Sequence, residues 1–150
     1  MDIKERMYTV IQKRGIRQSE LAKITGTTRQ TINSYIHGRH QMRLEAIVLI
    51  ASALHVSVDY LLCLNEKEEV ASQQYLDVWA LSKNLKEALN NREQSKEKFA
   101  KEIKIAASTL YQILKGDRLP SIDTFCTIAR VLNVSADTLL TSKNEGGAAA

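Results

Sequence analysis

A tandem duplication bounds every structure this chain can adopt. Displaced by 78 positions, the sequence aligns with itself without a gap, and Gly38 falls on Gly116. From Arg14 to Leu62, 13 of 49 positions are then identical, where average residue usage gives roughly three by chance. Val56-Ser57-Val58-Asp59 meets Val134-Ser135-Ala136-Asp137. Leu44, Ile47, Val48, Ile50, Ala51 and Leu54 meet Ile122, Phe125, Cys126, Ile128, Ala129 and Leu132. Two domains of about 65 residues can each bury a core of their own if they are well packed.

Within each copy the apolar residues recur at i, i+3, i+4 and i+7, the spacing of an amphipathic helix, with no strand-like alternation. The composition agrees. Aromatics are 5% of the chain, with one Pro and 6 Gly, too few for the many turns of a β-sandwich or barrel. Five helices are predicted in the first copy, at 2–13, 18–25, 28–37, 43–54 and 57–63. Asp2 and Glu5 form a capping box at the start, and Gly15, Gly26 and Gly38 mark breaks. The second copy repeats them at 79–91, 96–103, 106–115, 121–132 and 135–141. The fold class is all-α. The domains read as 1–65 and 79–141, joined by an acidic, partly helical connector at 66–78 and followed by a disordered tail at 142–150.

Charge supports this division. The net charge is +4. Residues 1–65 carry 9 Lys/Arg against 5 Asp/Glu, 66–79 carry 1 against 4, and 80–150 carry 11 against 8. Two basic lobes flanking an acidic connector suit a polyanionic partner. No apolar run is long enough to span a bilayer, and the start lacks a signal-peptide core, so a cytoplasmic protein is expected. Cys63 and Cys126 are isolated and read as buried, reduced core thiols. His37, His40 and His55 lack ligand-spaced partners, so no metal site is expected. Nothing marks a cofactor or a small-molecule ligand. With no nucleophile–base set, no phosphate-binding glycine loop and no carboxylate pair on one face, an enzyme is not expected. Trp79 is expected to pack the connector against a domain.

The chemistry lies in the second and third segments. Two short helices around a turn at Gly26 make a helix-turn-helix arrangement. On the third helix, Arg29, Asn33, His37, Gln30 and Ser34 fall within about 140° of one another at 100° per residue, while Ile32, Tyr35 and Ile36 occupy the opposite face. Such a helix is anchored on one side and offers groove chemistry on the other, since Gln or Asn pairs bidentately with adenine and Arg with guanine or phosphate. Thr28 suits the N-cap and can donate to a phosphate.

The run QSELAKITGTTRQTINSYIHG (18–38) resembles the helix-turn-helix of the Cro and phage-repressor family. The following LEAIVLIASALHVSVDYLL resembles that family's fourth and fifth helices. The resemblance implies two tandem five-helix lambda-repressor-like domains. It implies that Gln18 touches the phosphate backbone and braces the third helix. By it Arg29, Gln30 and Ser34 hold the base-reading positions, with Asn33 a neighbour on the same face, and Arg39, His40 and Arg43 lie along the backbone. The implied activity is sequence-specific binding of double-stranded DNA by a transcriptional regulator, a repressor, working as a homodimer.

The second copy departs from the family pattern. Lys104 stands at the turn glycine, Lys96 at Gln18, and Ala106-Ala107 at Thr28-Arg29. Its outward face is Ala107, Ser108, Tyr111, Gln112 and Lys115, with Lys104 and Arg118 beside it as candidate DNA contacts. The copy either assists DNA binding or mediates dimerisation, and its weakened face favours the latter. The competing reading is a protein-interaction module of antitoxin or inhibitor type, with no operator.

Overall fold

The structure, a computed structural model, describes residues 2–68 and 76–142. All regular structure among them is helical, and the chain divides into two compact units, Met1–Gln73 and Gln74–Ala150.

The first unit holds α1 (Ile3–Arg14), α2 (Gln18–Thr25), α3 (Arg29–Ile36), α4 (Leu44–Leu54) and α5 (Val58–Leu61). Local chemistry sets the ends. The Asp2 side chain accepts from Glu5 N while Glu5 accepts from Asp2 N, the expected capping box. Thr28 accepts from Thr31 N and Ser57 from Tyr60 N; caps of this kind are worth about 1 kcal/mol each. α2 packs on α3 and α4, and α1 closes over α3, α4 and α5. Met7, Leu21, Ile32, Leu44, Ile47, Ile50 and Leu61 are sealed between them.

The second unit begins with a 3-10 turn at Val78–Ala80. It continues as α6 (Leu81–Arg92), α7 (Lys96–Glu102), α8 (Ala107–Lys115), α9 (Ile122–Leu132) and α10 (Ala136–Leu139). Phe99, Leu110, Phe125 and Ile128 fill the places of Leu21, Ile32, Ile47 and Ile50. The two units also share one polar device. Arg6 NH1 donates to the Tyr60 and Asn65 carbonyls at 3.0 and 3.1 Å. At the equivalent position, Asn84 Nδ2 donates to the Leu139 and Thr141 carbonyls at 2.8 and 2.9 Å. In each case a buried donor on the first long helix satisfies carbonyls that the short last helix leaves open.

Most helices stand within a residue or two of their expected limits, and several of the differences fall on the flanking cap residues. Four local readings are corrected. α5 stops at Leu61 rather than residue 63, and Cys63, with φ 60°, turns the chain out and is only half-buried. α10 ends at Leu139, and Thr141 instead pairs with Leu76 in an antiparallel bridge. α6 starts at Leu81, because the Asp77 side chain caps Trp79 N and tightens residues 78–80 into a 3-10 turn. That turn buries Val78 and leaves Trp79 52% exposed, so Trp79 does not pack as expected.

Acidic residues after α5 pair with basic residues of α1. Glu66 Oε2 lies 2.8 Å from Arg6 NH2, and Glu68 pairs with Lys13 and Arg14 at 2.8 and 2.9 Å. Residues 69–75 of the connector and 143–150 of the tail lie outside the described residues.

Candidate nucleic-acid interface

In the first domain α2 and α3 meet through Gly26, whose φ of 70° is the left-handed conformation that glycine adopts without steric cost. Nothing lies within 4 Å of where a Cβ would stand, so the requirement here is backbone conformation and not space. α3 then buries Ile32 and Ile36 and half-buries Tyr35. Its other side presents Arg29 and Gln30, both exposed, with Asn33 and Ser34 half-buried beside them. No hydrogen bond or ion pair within the chain engages the Arg29, Gln30 or Ser34 side chains among the described residues.

Asn33 is different. Its Nδ2 donates to Gln18 Oε1 at 3.3 Å. That bond joins the α3 face to the first residue of α2 and uses the carbonyl end of Gln18, leaving the Gln18 NH2 group as the end that can donate outward. The N-terminus of α2 is open as well. Arg17 is its N-cap and supplies no side-chain acceptor. Open amides at a helix start carry partial positive charge and suit a phosphate.

The remaining first-domain candidates line one stretch. Thr28 Oγ1 is occupied by the cap and by Thr31 Oγ1 at 2.9 Å. His37 Nδ1 donates to the Asn33 carbonyl at 2.8 Å and so closes the end of α3. Arg39, His40 and Arg43 are exposed in the loop to α4. Lys4, which sequence reasoning missed, lies over the same turn. Its ammonium is 3.2 Å from where a Cβ on Gly38 would stand, so a cation of α1 sits at the end of α3, which has no basic residue in its own last turn. Only the three-dimensional approach of α1 to α3 reveals it.

The second domain builds the same frame with other groups on it. Lys104 takes the left-handed turn position with φ 62°. Ala106 gives α8 no side-chain cap. Ser108, Tyr111, Gln112, Lys115 and Arg118 are all exposed, but three of them are engaged within the domain. Arg118 NH1 donates to Gln112 Oε1 at 3.4 Å. The Tyr111 hydroxyl donates to Glu97 Oε2, and Lys96 Nζ stands 5.6 Å from the Tyr111 ring centroid. The Tyr111 hydroxyl holds the Glu97 carboxyl below the ordinary carboxylate range, and the Tyr111 phenol is raised in turn. The Lys96–Tyr111 pair thus stands where Gln18 and Asn33 stand in the first domain. Glu97 was not singled out from the sequence.

A helix-turn-helix family model matches residues 7–61, and a helix-turn-helix domain model matches residues 82–145. The chain is a tandem helix-turn-helix protein. Both copies are of the Cro and phage-repressor type. Comparison of this helix-turn-helix protein with curated proteins and with solved structures gave no match. No described helix is long and apolar enough to cross a membrane. The family places it among DNA-binding transcription regulators.

Proposed function

We propose that this chain is a sequence-specific binder of double-stranded DNA that represses transcription as a homodimer, with α3 of the first domain in the major groove. The observation that carries this reading is the contrast within one face. Arg29, Gln30 and Ser34 are unengaged and outward, while Asn33 and Gln18 are locked to each other beside them. A solvated helix face needs no such brace, whereas a base-reading face needs its neighbours fixed before binding. Arg29 would address guanine, Gln30 adenine, and Ser34 either. The open start of α2, the Gln18 NH2 group, Arg39, His40 and Arg43 would hold the phosphates, giving register and affinity but no sequence information. In a homodimer two such faces would address half-sites about 34 Å apart, one turn of the duplex.

The test is selection of binding sites from a random duplex pool at near-physiological salt. Enrichment of a motif with two matching halves is expected. Binding that depends on salt but enriches nothing would refute base reading and favour a protein-interaction module.

A further inference from the structure

The duplication makes each domain a control for the other, and the sharpest difference between them lies at the start of the second helix of each motif. α2 opens at Arg17 with no side-chain cap, and among the described residues no protein acceptor meets the N–H groups of Gln18, Ser19 and Glu20. α7 opens at Ser95, whose Oγ accepts from Lys98 N at 3.2 Å. Its second residue is Glu97, where α2 has Ser19. The Glu97 carboxylate accepts from the Tyr111 hydroxyl. Tyr111 in turn stands on α8, the equivalent of α3. A fixed negative charge therefore lies at the α7–α8 junction, the site equivalent to the one that Gln18 and Asn33 frame in the first domain.

A phosphate arriving at that junction would meet a carboxylate instead of open amides. Like charges placed opposite each other oppose association. Lys96 stands over the Tyr111 ring and Arg118 donates to Gln112, so both cations are held within the domain beside the carboxylate. The hydrogen bond from the Tyr111 hydroxyl to Glu97 joins the face of α8 to the first turn of α7.

We propose that Glu97 closes the helix-turn-helix face of the second domain to duplex DNA, acting as an anti-determinant for phosphate, so that base reading falls to the first domain alone. The inference rests on the reading that the first domain binds duplex DNA through the equivalent junction. It makes the second domain's divergence an active exclusion rather than a loss of contacts, because an alanine at residue 97 would have sufficed for a loss.

The experiment is the salt dependence of full-chain binding to a duplex of random sequence, wild type against Glu97→Ser, which installs the first-domain residue at the same helix position. Glu97→Ser is expected to steepen the slope of log affinity against log salt by about 0.9 or more, one newly admitted phosphate contact or several. Asp123→Asn, which removes an acid elsewhere in the same domain, is expected to leave the slope unchanged. The converse variant Ser19→Glu is expected to weaken binding by at least about tenfold. A Glu97→Ser slope equal to that of wild type or of Asp123→Asn, or a weaker affinity, overturns the inference. Failure of Ser19→Glu to weaken binding overturns the first-domain reading instead, so the two failures are distinct.

Discussion

Asn33 gives its side-chain N–H to the Gln18 carbonyl oxygen at 3.3 Å, tying the second turn of α3 to the first residue of α2. The bond decides what each amide can still offer. Gln18 keeps two outward donors, and Asn33 has committed one of its own. Under the proposed reading, Asn33 acts as a positioning residue for Gln18 more than as a reader of bases. Asn33→Ala is expected to weaken binding to every duplex alike and to have little further effect once Gln18 is alanine. A double-mutant cycle on duplex affinity should give a coupling of about 0.5–3 kcal/mol. Relaxation of the selected motif at one position in Asn33→Ala would instead make it a base contact.

Gln30 and Arg43 should fail in different ways. Gln30→Ala, or Arg29→Ala, is expected to cost about 1–3 kcal/mol and to relax one position of the selected motif. Arg43→Ala is expected to weaken all sequences equally and to lower the salt slope by about 0.9. Parallel site selection and salt titration on the three variants separate the two patterns. Intact selectivity in both Gln30→Ala and Arg29→Ala would remove α3 from base reading.

The fold was readable because its signals are local and occur twice. Helical periodicity, the Asp2–Glu5 box, the Thr28 cap and the turn at Gly26 each involve residues no more than a few positions apart, and the second copy repeats the core positions. Asn33 could be placed on the polar face of α3, but its bond to Gln18 spans 15 residues and depends on how two helices cross. Glu97 was invisible for a related reason. An acid in the first turn of a helix is ordinary in sequence, and only the reach of Tyr111 from the next helix shows where its charge is held. Lys4 over Gly38 and Arg6 under the chain near residue 65 belong to the same class of long-range approach.

Arg6 is buried, and its ion-pair partner is not. The side chain of Arg6 is 7% exposed and that of Glu66 is 84% exposed. The weight of the cluster therefore lies in the two backbone carbonyls and in the Tyr60 ring, 4.2 Å from the guanidinium carbon. Arg6→Ala is expected to destabilise the first domain by about 2–4 kcal/mol, because it orphans buried acceptors. Glu66→Gln is expected to cost less than about 1 kcal/mol, as exposed pairs do. Amide hydrogen exchange on α1 under native conditions reports both within this one domain. Equal losses would mean that the ion pair, and not the carbonyl bonds, holds the segment.

Glu68 should give the first domain an acid-sensitive contribution. The hydrogen bond from Lys13, with the charges of Lys13 and Arg14, holds its carboxyl below the ordinary range against the opposing effect of burial. A carboxyl lowered in the folded state binds its proton more readily when unfolded, so it adds stability above the unfolded value of about 4.3. That addition is lost as pH falls through the lowered folded value. Exchange protection of α1 measured from about pH 6 to pH 3 should therefore fall more steeply in wild type than in Glu68→Gln. Identical profiles would mean that the pair is too weak to couple to folding.

The turns of the two motifs differ by one residue in one backbone conformation, which makes them a direct measure of strain. Gly26 has φ 70° and Lys104 has φ 62°. A side chain in the left-handed region costs about 1–2 kcal/mol, against about 0.5–1 kcal/mol for the extra freedom that a glycine loses on folding. Lys104→Gly should therefore stabilise the second domain by up to about 1 kcal/mol. Lys104→Ala, which removes the same charge but keeps a Cβ, should give no such gain. In the first domain Gly26→Ala meets no atom within 4 Å, so its expected loss of about 1 kcal/mol is backbone strain alone. Amide exchange within α8 and α3 assigns each change to its own domain. A gain in Lys104→Ala equal to that in Lys104→Gly would trace the effect to the lysine charge and away from the backbone.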